Sequence, residues 1–237
     1  MRKLHLIFTL TLTFTFSNTF ASELEQPQTQ LPAWKLEKED KESDVSVYYR
    51  TFDSGNIEFK GVTHIKTSLN SLVALLSDAG AMSNWVHNVE HARMLARISD
   101  VEVFAYVINR TPFPFSYRDS IIHTKISQNS ETLAVTLDGK SAPHYIPESP
   151  DYVRLSLVKS YWKFVPLGNG VVEVVFQGLG EPGGNISPDI SHSTIFQWIT
   201  SKLLWELPML SMKNMKREIM KEKYQTQTFE FIKEPKS

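Results

Sequence analysis

Thr111-Pro112-Phe113-Pro114-Phe115-Ser116-Tyr117-Arg118-Asp119 places two prolines and three aromatic rings between two segments that read as strands. The prolines fix φ at 112 and 114 and push Thr111 and Phe113 into extended backbone, so the loop is stiff. A flexible turn here would use Gly or Asn, and the loop contains neither. A rigid aromatic loop between strands is placed to cover something.

Working outward, period-two alternation marks strands on both sides. Val45–Arg50 and Ile57–Val62 form a hairpin across the turn residues Asp53-Ser54-Gly55-Asn56, and Trp34 to Glu39 adds a short strand before it. Ala92–Ile98, Val101–Ile108, Ser120–Ile126, Thr132–Leu137, Val153–Phe164 and Val171–Gly178 follow, with turns expected at Ser99-Asp100, Asp138-Gly139, Ser149-Pro150-Asp151 and Gly168-Asn169-Gly170. Sequential strands joined by short turns make an antiparallel meander of about eight or nine strands.

Two segments change to helical spacing. Leu69, Leu72, Val73 and Leu76 predict a helix to about Asp78, ended by Gly80, with a further turn carrying Trp85. Ile195, Trp198, Ile199, Leu203 and Leu207 begin a second stripe, which Pro208 interrupts and Met209, Met212, Met215 and Ile219 continue. The fold class is therefore α+β: a curved antiparallel sheet wrapped around a long C-terminal helix, with room for an internal cavity.

The chain of 237 residues opens with Arg2-Lys3, an apolar run from Leu4 to Phe16, and small residues at Thr19 and Ala21. That pattern reads as a signal peptide over 1–21, and its apolar core is shorter than the ~20 residues of a spanning helix. Residues 22–33 read as a loose lead-in, 34–226 as one domain and 227–237 as a tail. Without Arg2 and Lys3, Lys and Arg fall from 25 to 23 against 26 acids, a net charge of −3 that argues against nucleic acid as partner. Cysteine is absent, so an exported chain would rest on its core alone; a periplasmic or secreted location is expected.

Alternation gives the strands an inner face. Ser120, Ile122 and Thr124 oppose Lys125; Ser160, Trp162 and Phe164 oppose Lys159 and Lys163; Val172, Val174 and Phe176 oppose Glu173 and Gln177. Apolar walls with isolated hydroxyls fit a pocket for a hydrophobic molecule with a polar end. Tyr106, Trp198, Met209 and Met212 complete the expected lining, methionine adapting to varied ligand shapes.

Four segments resemble the START (StAR-related lipid-transfer) domain family. They are Asn84-Trp85-Val86 with Val89–Leu95, the Pro112–Asp119 loop, Ser160–Gly170 with Gly180–Ile186, and Pro208–Lys216. The resemblance implies a helix-grip fold and a non-catalytic protein that encloses one lipid; a monomer without cofactor or metal is expected. It implies too that the Asn109 to Tyr117 loop, with Pro112, Phe113, Pro114 and Phe115, forms a gate with the C-terminal helix. Several family members carry a second buried Arg six residues after the Arg118 position; Thr124 stands there in this chain. Hydroxyls would then meet a polar end, since alternation turns His123 outward.

Phe113, Phe115 and the basic residues Lys213, Lys216, Arg217, Lys221 and Lys223 are candidates for transient contact with a membrane surface. His87 and His91 bracket Glu90, but one ends a helix and the other enters a strand, which argues against a metal pair. Two alternatives stay open: a helix-grip enzyme of cyclase or hydrolase type, using Tyr106 or His123 as acid or base, and a module whose aromatic loop binds a protein partner.

Overall fold

The computed structural model describes residues 31–181, 183 and 194–236, with the backbone alone described over 194–204. The expected signal peptide, most of the lead-in and the side chain of Trp198 lie outside these residues.

Strands β1 (Lys35–Asp40), β2 (Val45–Thr51) and β3 (Ile57–Lys66) open the domain. Helices α1 (Leu69–Ser77) and α2 (Met82–Trp85) follow, joined by a short 3₁₀ turn. Then come β4 (Val89–Ser99), β5 (Glu102–Asn109), β6 (Arg118–Gln128), β7 (Val135–Ser141), β8 (Val153–Arg154), β9 (Val158–Gly168) and β10 (Val171–Gly180). Helices α3 (Thr194–Glu218) and α4 (Glu222–Gln225) are the last regular elements of the described chain.

All ten strands share one sheet, in the order β1-β2-β3-β10-β9-β7-β6-β5-β4, with two-residue β8 pairing beside β6. The first hairpin therefore closes onto the last strand, with Phe59 opposite Gly178 and Thr63 opposite Val174. Sequence order misses this pairing, because it needs a crossover between segments over a hundred residues apart.

Helix α1 begins at Ser68, whose side chain accepts the Ser71 N–H at 3.0 Å, and it buries Leu69, Leu72, Val73 and Leu75 against the sheet. Helix α3 packs on β2, β3 and α2. It runs unbroken through Pro208, where an interruption was expected; the proline removes one intrahelical N–H and the flanking turns hold the rest. Met209, Met212 and Met215 are buried in the main core. Gly61 makes that approach possible, since a Cβ there would lie 2.8 Å from the Met212 sulfur.

Asp138-Gly139, expected as a turn, lies inside β7. The reversal comes earlier, where Asn129 Oδ1 accepts the N–H groups of Glu131 and Thr132 and Leu133 takes a φ of 57°. Gly139 serves packing instead: a Cβ would sit 2.9 Å from Ile122 Cγ2. The expected long strand from Val153 to Phe164 is split into β8 and β9.

Residues 227–237 were expected as a tail outside the domain, but the described part, 227–236, returns to the core. Ile232 is 6% exposed, and Glu234 accepts the N–H groups of Leu69 and Asn70 at 3.1 and 2.7 Å and the Asn70 side-chain amide at 2.8 Å. The carboxylate thus meets the orphan donors and positive end of α1. Lys233 exchanges two main-chain hydrogen bonds with the Gln128 side chain.

Candidate ligand cavity

On the inner face of the sheet, where α1 and α3 leave it uncovered, lies a cavity of about 620 Å³. Its floor is aromatic. Trp162 on β9 and Phe176 on β10 stack with centroids 3.9 Å apart, Phe59 meets Phe176 edge-on at 5.0 Å, and Trp85 meets Trp162 edge-on at 5.7 Å. These rings separate the cavity from the packed core beyond. Phe164, Val172 and Val174 point the same way but lie on the core side, buried against α1 and α3 rather than facing the cavity. Alternation identifies the face correctly and does not say where filling side chains give way to space.

Ser120, Ile122 and Thr124 of β6 and Ser160 of β9 stand in the cavity wall. From β5 the wall receives Val103, Ala105, Val107 and Asn109, because Val103 pairs with Thr124, Ala105 with Ile122 and Val107 with Ser120. Tyr106 therefore faces the other side, correcting its assignment to the cavity. Its hydroxyl donates to Asp119 Oδ2 at 2.8 Å, and burial together with that carboxylate pushes the phenol up to about 12. Met209 and Met212 are likewise core residues and not cavity wall; Leu207 is the described α3 residue that reaches the cavity.

Arg118 and Asp119 are neighbours in sequence and diverge in space. Arg118 faces the cavity, over the Phe115 ring at 5.6 Å and donating to the Ser116 carbonyl, and burial lowers its pKa. Asp119 is buried on the outer face, where Arg154 grips it with two N–H groups at 3.0 and 2.9 Å. Arg154 also donates to the carbonyls of Pro143, Ile146 and Pro147, so the ion pair ties the 142–155 segment over Tyr106 and Ile121.

Within the aromatic loop, Thr111 and Phe115 reach the cavity, whereas Phe113 is 95% exposed and Pro112 and Pro114 are exposed beside it. The Phe113–Pro114 peptide is cis. Four of the basic residues expected at a membrane surface are engaged within the domain: Lys213 with Asp40, Lys216 with the Ser43 carbonyl at 2.6 Å, Lys221 with Glu218 at 2.8 Å and Lys223 with Asp78 at 2.7 Å. His87, at the start of the link between α2 and β4, lies 3.9 Å from Glu206 of α3 and donates its N–H to Ser211 Oγ at 2.9 Å. Burial lowers the pKa of its ring against the opposing pull of Glu206. His123 lies outside the cavity, 2.6 Å from Glu102 and stacked on Phe104.

This architecture is the helix-grip fold, and the START domain model matches the chain over residues 17–199. The chain belongs to the START domain family. A solved STAR-related lipid transfer protein from Xanthomonas axonopodis is 26% identical, with a TM-score of 0.69, over 79% of this chain and 99% of that one. An uncharacterised protein of Pseudomonas aeruginosa is 27% identical over 184 residues, 77% of this chain and 85% of its own. Human StAR-related lipid transfer protein 5, at 17% identity and a TM-score of 0.59 over 76% of this chain and 86% of its own, shares the fold.

Proposed function

We propose that this START domain encloses one hydrophobic ligand, shields it from water and transfers it across an aqueous compartment, acting by binding rather than by chemistry. The cavity carries the reading. An apolar pocket of about 620 Å³ left empty would forfeit packing along its whole wall, so ligand or water fills it. A cavity of that size persists because something fills it, and an aromatic floor with valine and isoleucine walls favours an apolar occupant over water.

Transfer is energetically undemanding. Each buried methylene gains about 0.8 kcal/mol relative to water, and a bilayer offers the same environment, so exchange between bilayer and cavity is nearly neutral. Phe113, exposed at the tip of the loop whose Phe115 lines the cavity, is the residue we assign to membrane contact during exchange. The leader-like N-terminus supports export as the setting.

Extraction of the purified protein with organic solvent, followed by mass spectrometry, tests the reading. One recurring hydrophobic species at about one per chain is expected; bare protein across independent preparations would contradict it.

A further inference from the structure

One polar group of the cavity wall is buried, open to the cavity and unused by the protein. Ser120 lines the cavity and is 3% exposed, and its hydroxyl has no hydrogen-bond partner among the described residues. Trp85 Nε1 also lacks a partner but is sealed within the protein; Ser120 Oγ is not sealed, so it opens on the cavity. Other hydroxyls of the sheet are committed, Ser127 to Thr136 at 2.7 Å and Ser141 to the Ser156 carbonyl at 2.8 Å.

Ser120 stands singly. Its cross-strand neighbour is Val107, and on its other flank the chain passes at Leu155, whose N–H bonds the Asp119 carbonyl at 2.9 Å. Thr124, Ser160 and Asn109 line the cavity in other cross-strand rows, and Ile122 lies over Gly139 between Thr124 and Ser160. Arg118, two residues before Ser120, is engaged by the Ser116 carbonyl and the Phe115 ring and holds a further interaction. The site therefore offers one hydroxyl, a single donor that also accepts. A buried carboxylate or phosphate needs several donors at once, whereas an alcohol is satisfied by one group that both donates and accepts.

Depth and volume set the second limit. From Ser120, β6 runs to Ile126 beside the floor, where Ile126 pairs with Leu137 and Leu137 with Trp162. Those residues of β6 span roughly 20 Å. A carbon chain with bonds of ~1.5 Å at ~111° advances about 1.25 Å per bond, so it covers that depth in about 16 bonds. Volume agrees: if each non-hydrogen atom takes about the ~30 Å³ share of a water molecule, 620 Å³ holds about 20 of them. One chain with slack fits these limits, and a diacyl phospholipid is more than twice too large.

Given that the cavity binds a ligand, as proposed above, we propose that this ligand is an uncharged single-chain lipid of the long-chain alcohol class. Its oxygen meets the Ser120 hydroxyl, which donates to it or accepts from it. Its chain runs along β6 past Ile122 and ends against the Trp162 and Phe176 rings of the floor.

Protein stripped of bound lipid is incubated with phosphatidylcholine vesicles carrying equal amounts of hexadecanol, hexadecane, palmitate and cholesterol. The incubation is held at about pH 9, well above the carboxylate range, and the reisolated protein's lipid is measured by chromatography and mass spectrometry. Hexadecanol is expected at one per chain, in about tenfold excess over palmitate. In Ser120→Ala the hexadecanol-to-hexadecane ratio is expected to fall about three- to tenfold, the value of one neutral hydrogen bond. The wild-type competition stands by itself if that variant fails to fold. Predominance of any lipid other than hexadecanol in the wild-type protein, or an unchanged ratio in folded Ser120→Ala, would overturn the inference and leave the binding function standing. Recovery of no lipid at all would overturn both.

Discussion

Replacing Asp119 with alanine separates the two faces of β6. The Asp119 and Arg154 side chains are 1% and 3% exposed, and the carboxylate accepts three hydrogen bonds, two from Arg154 and one from Tyr106. Removing one partner of a buried ion pair leaves the other charge uncompensated, which costs about 3–5 kcal/mol. For a domain of this size, each kcal/mol shifts the melting point by roughly 2–4 °C, so a fall on the order of 10 °C is expected. Tyr106→Phe removes one of the three bonds and is expected to cost about 1 kcal/mol. Both variants should retain ligand, because the network lies outside the cavity. Urea unfolding of stripped protein gives the stabilities, and titration with a fluorescent fatty acid gives the binding. A loss below about 1 kcal/mol for Asp119→Ala, or loss of binding in folded Tyr106→Phe, would refute the two-faced assignment.

The C-terminal strap, acidification and the loop tip give three further tests. Glu234→Ala removes three accepted hydrogen bonds at the start of α1 and is expected to cost about 1–2 kcal/mol by urea unfolding; an unchanged midpoint would show that the strap holds nothing. The Lys213 hydrogen bond holds the Asp40 carboxyl below its ordinary range, and burial holds the His87 ring below its usual 6.5. In both cases the unfolded chain binds protons more readily, so stability is complete above those ordinary values and falls on acidification, first below about 6.5 through His87 and then through the carboxylate range. A melting point that rises between pH 7 and pH 4 would contradict that sign. Phe113→Asp is expected to slow lipid transfer between vesicles while leaving the bound ligand in place; unchanged transfer rates would remove Phe113 from membrane exchange.

How far the sequence revealed the site depended on what covered each strand. On β6, Lys125 is exposed and Ser120, Ile122 and Thr124 stand at the cavity, so the two faces of the strand differ in composition and alternation can tell them apart. On β5, Val103 through Ile108 is almost entirely apolar because the 142–155 segment covers its outer face; alternation has no contrast there, and Tyr106 was placed on the wrong side. A strand covered on both faces reads as a continuous apolar run. The methionine stripe of α3 announced an inward face but not whether core or cavity lay opposite it. That was decided by Gly61, which brings the helix into contact with β3. Phe59 and Trp85 were legible as apolar and became cavity floor only through the β3–β10 pairing and the ring contacts with Phe176 and Trp162. Ile232 and Glu234 sit in a polar, charged end segment whose composition resembles a tail, and the donors that Glu234 satisfies belong to a helix more than 160 residues earlier.

The central claim is that one hydrophobic ligand occupies this cavity. Native mass spectrometry of the wild-type protein beside Ala105→Trp, which places an indole in the cavity from the middle of β5, tests it most directly. The wild-type spectrum is expected to carry a single adduct per chain, and the folded variant is expected to lose it. An adduct of equal abundance in folded Ala105→Trp, or none in wild-type protein offered long-chain lipids, would contradict the claim.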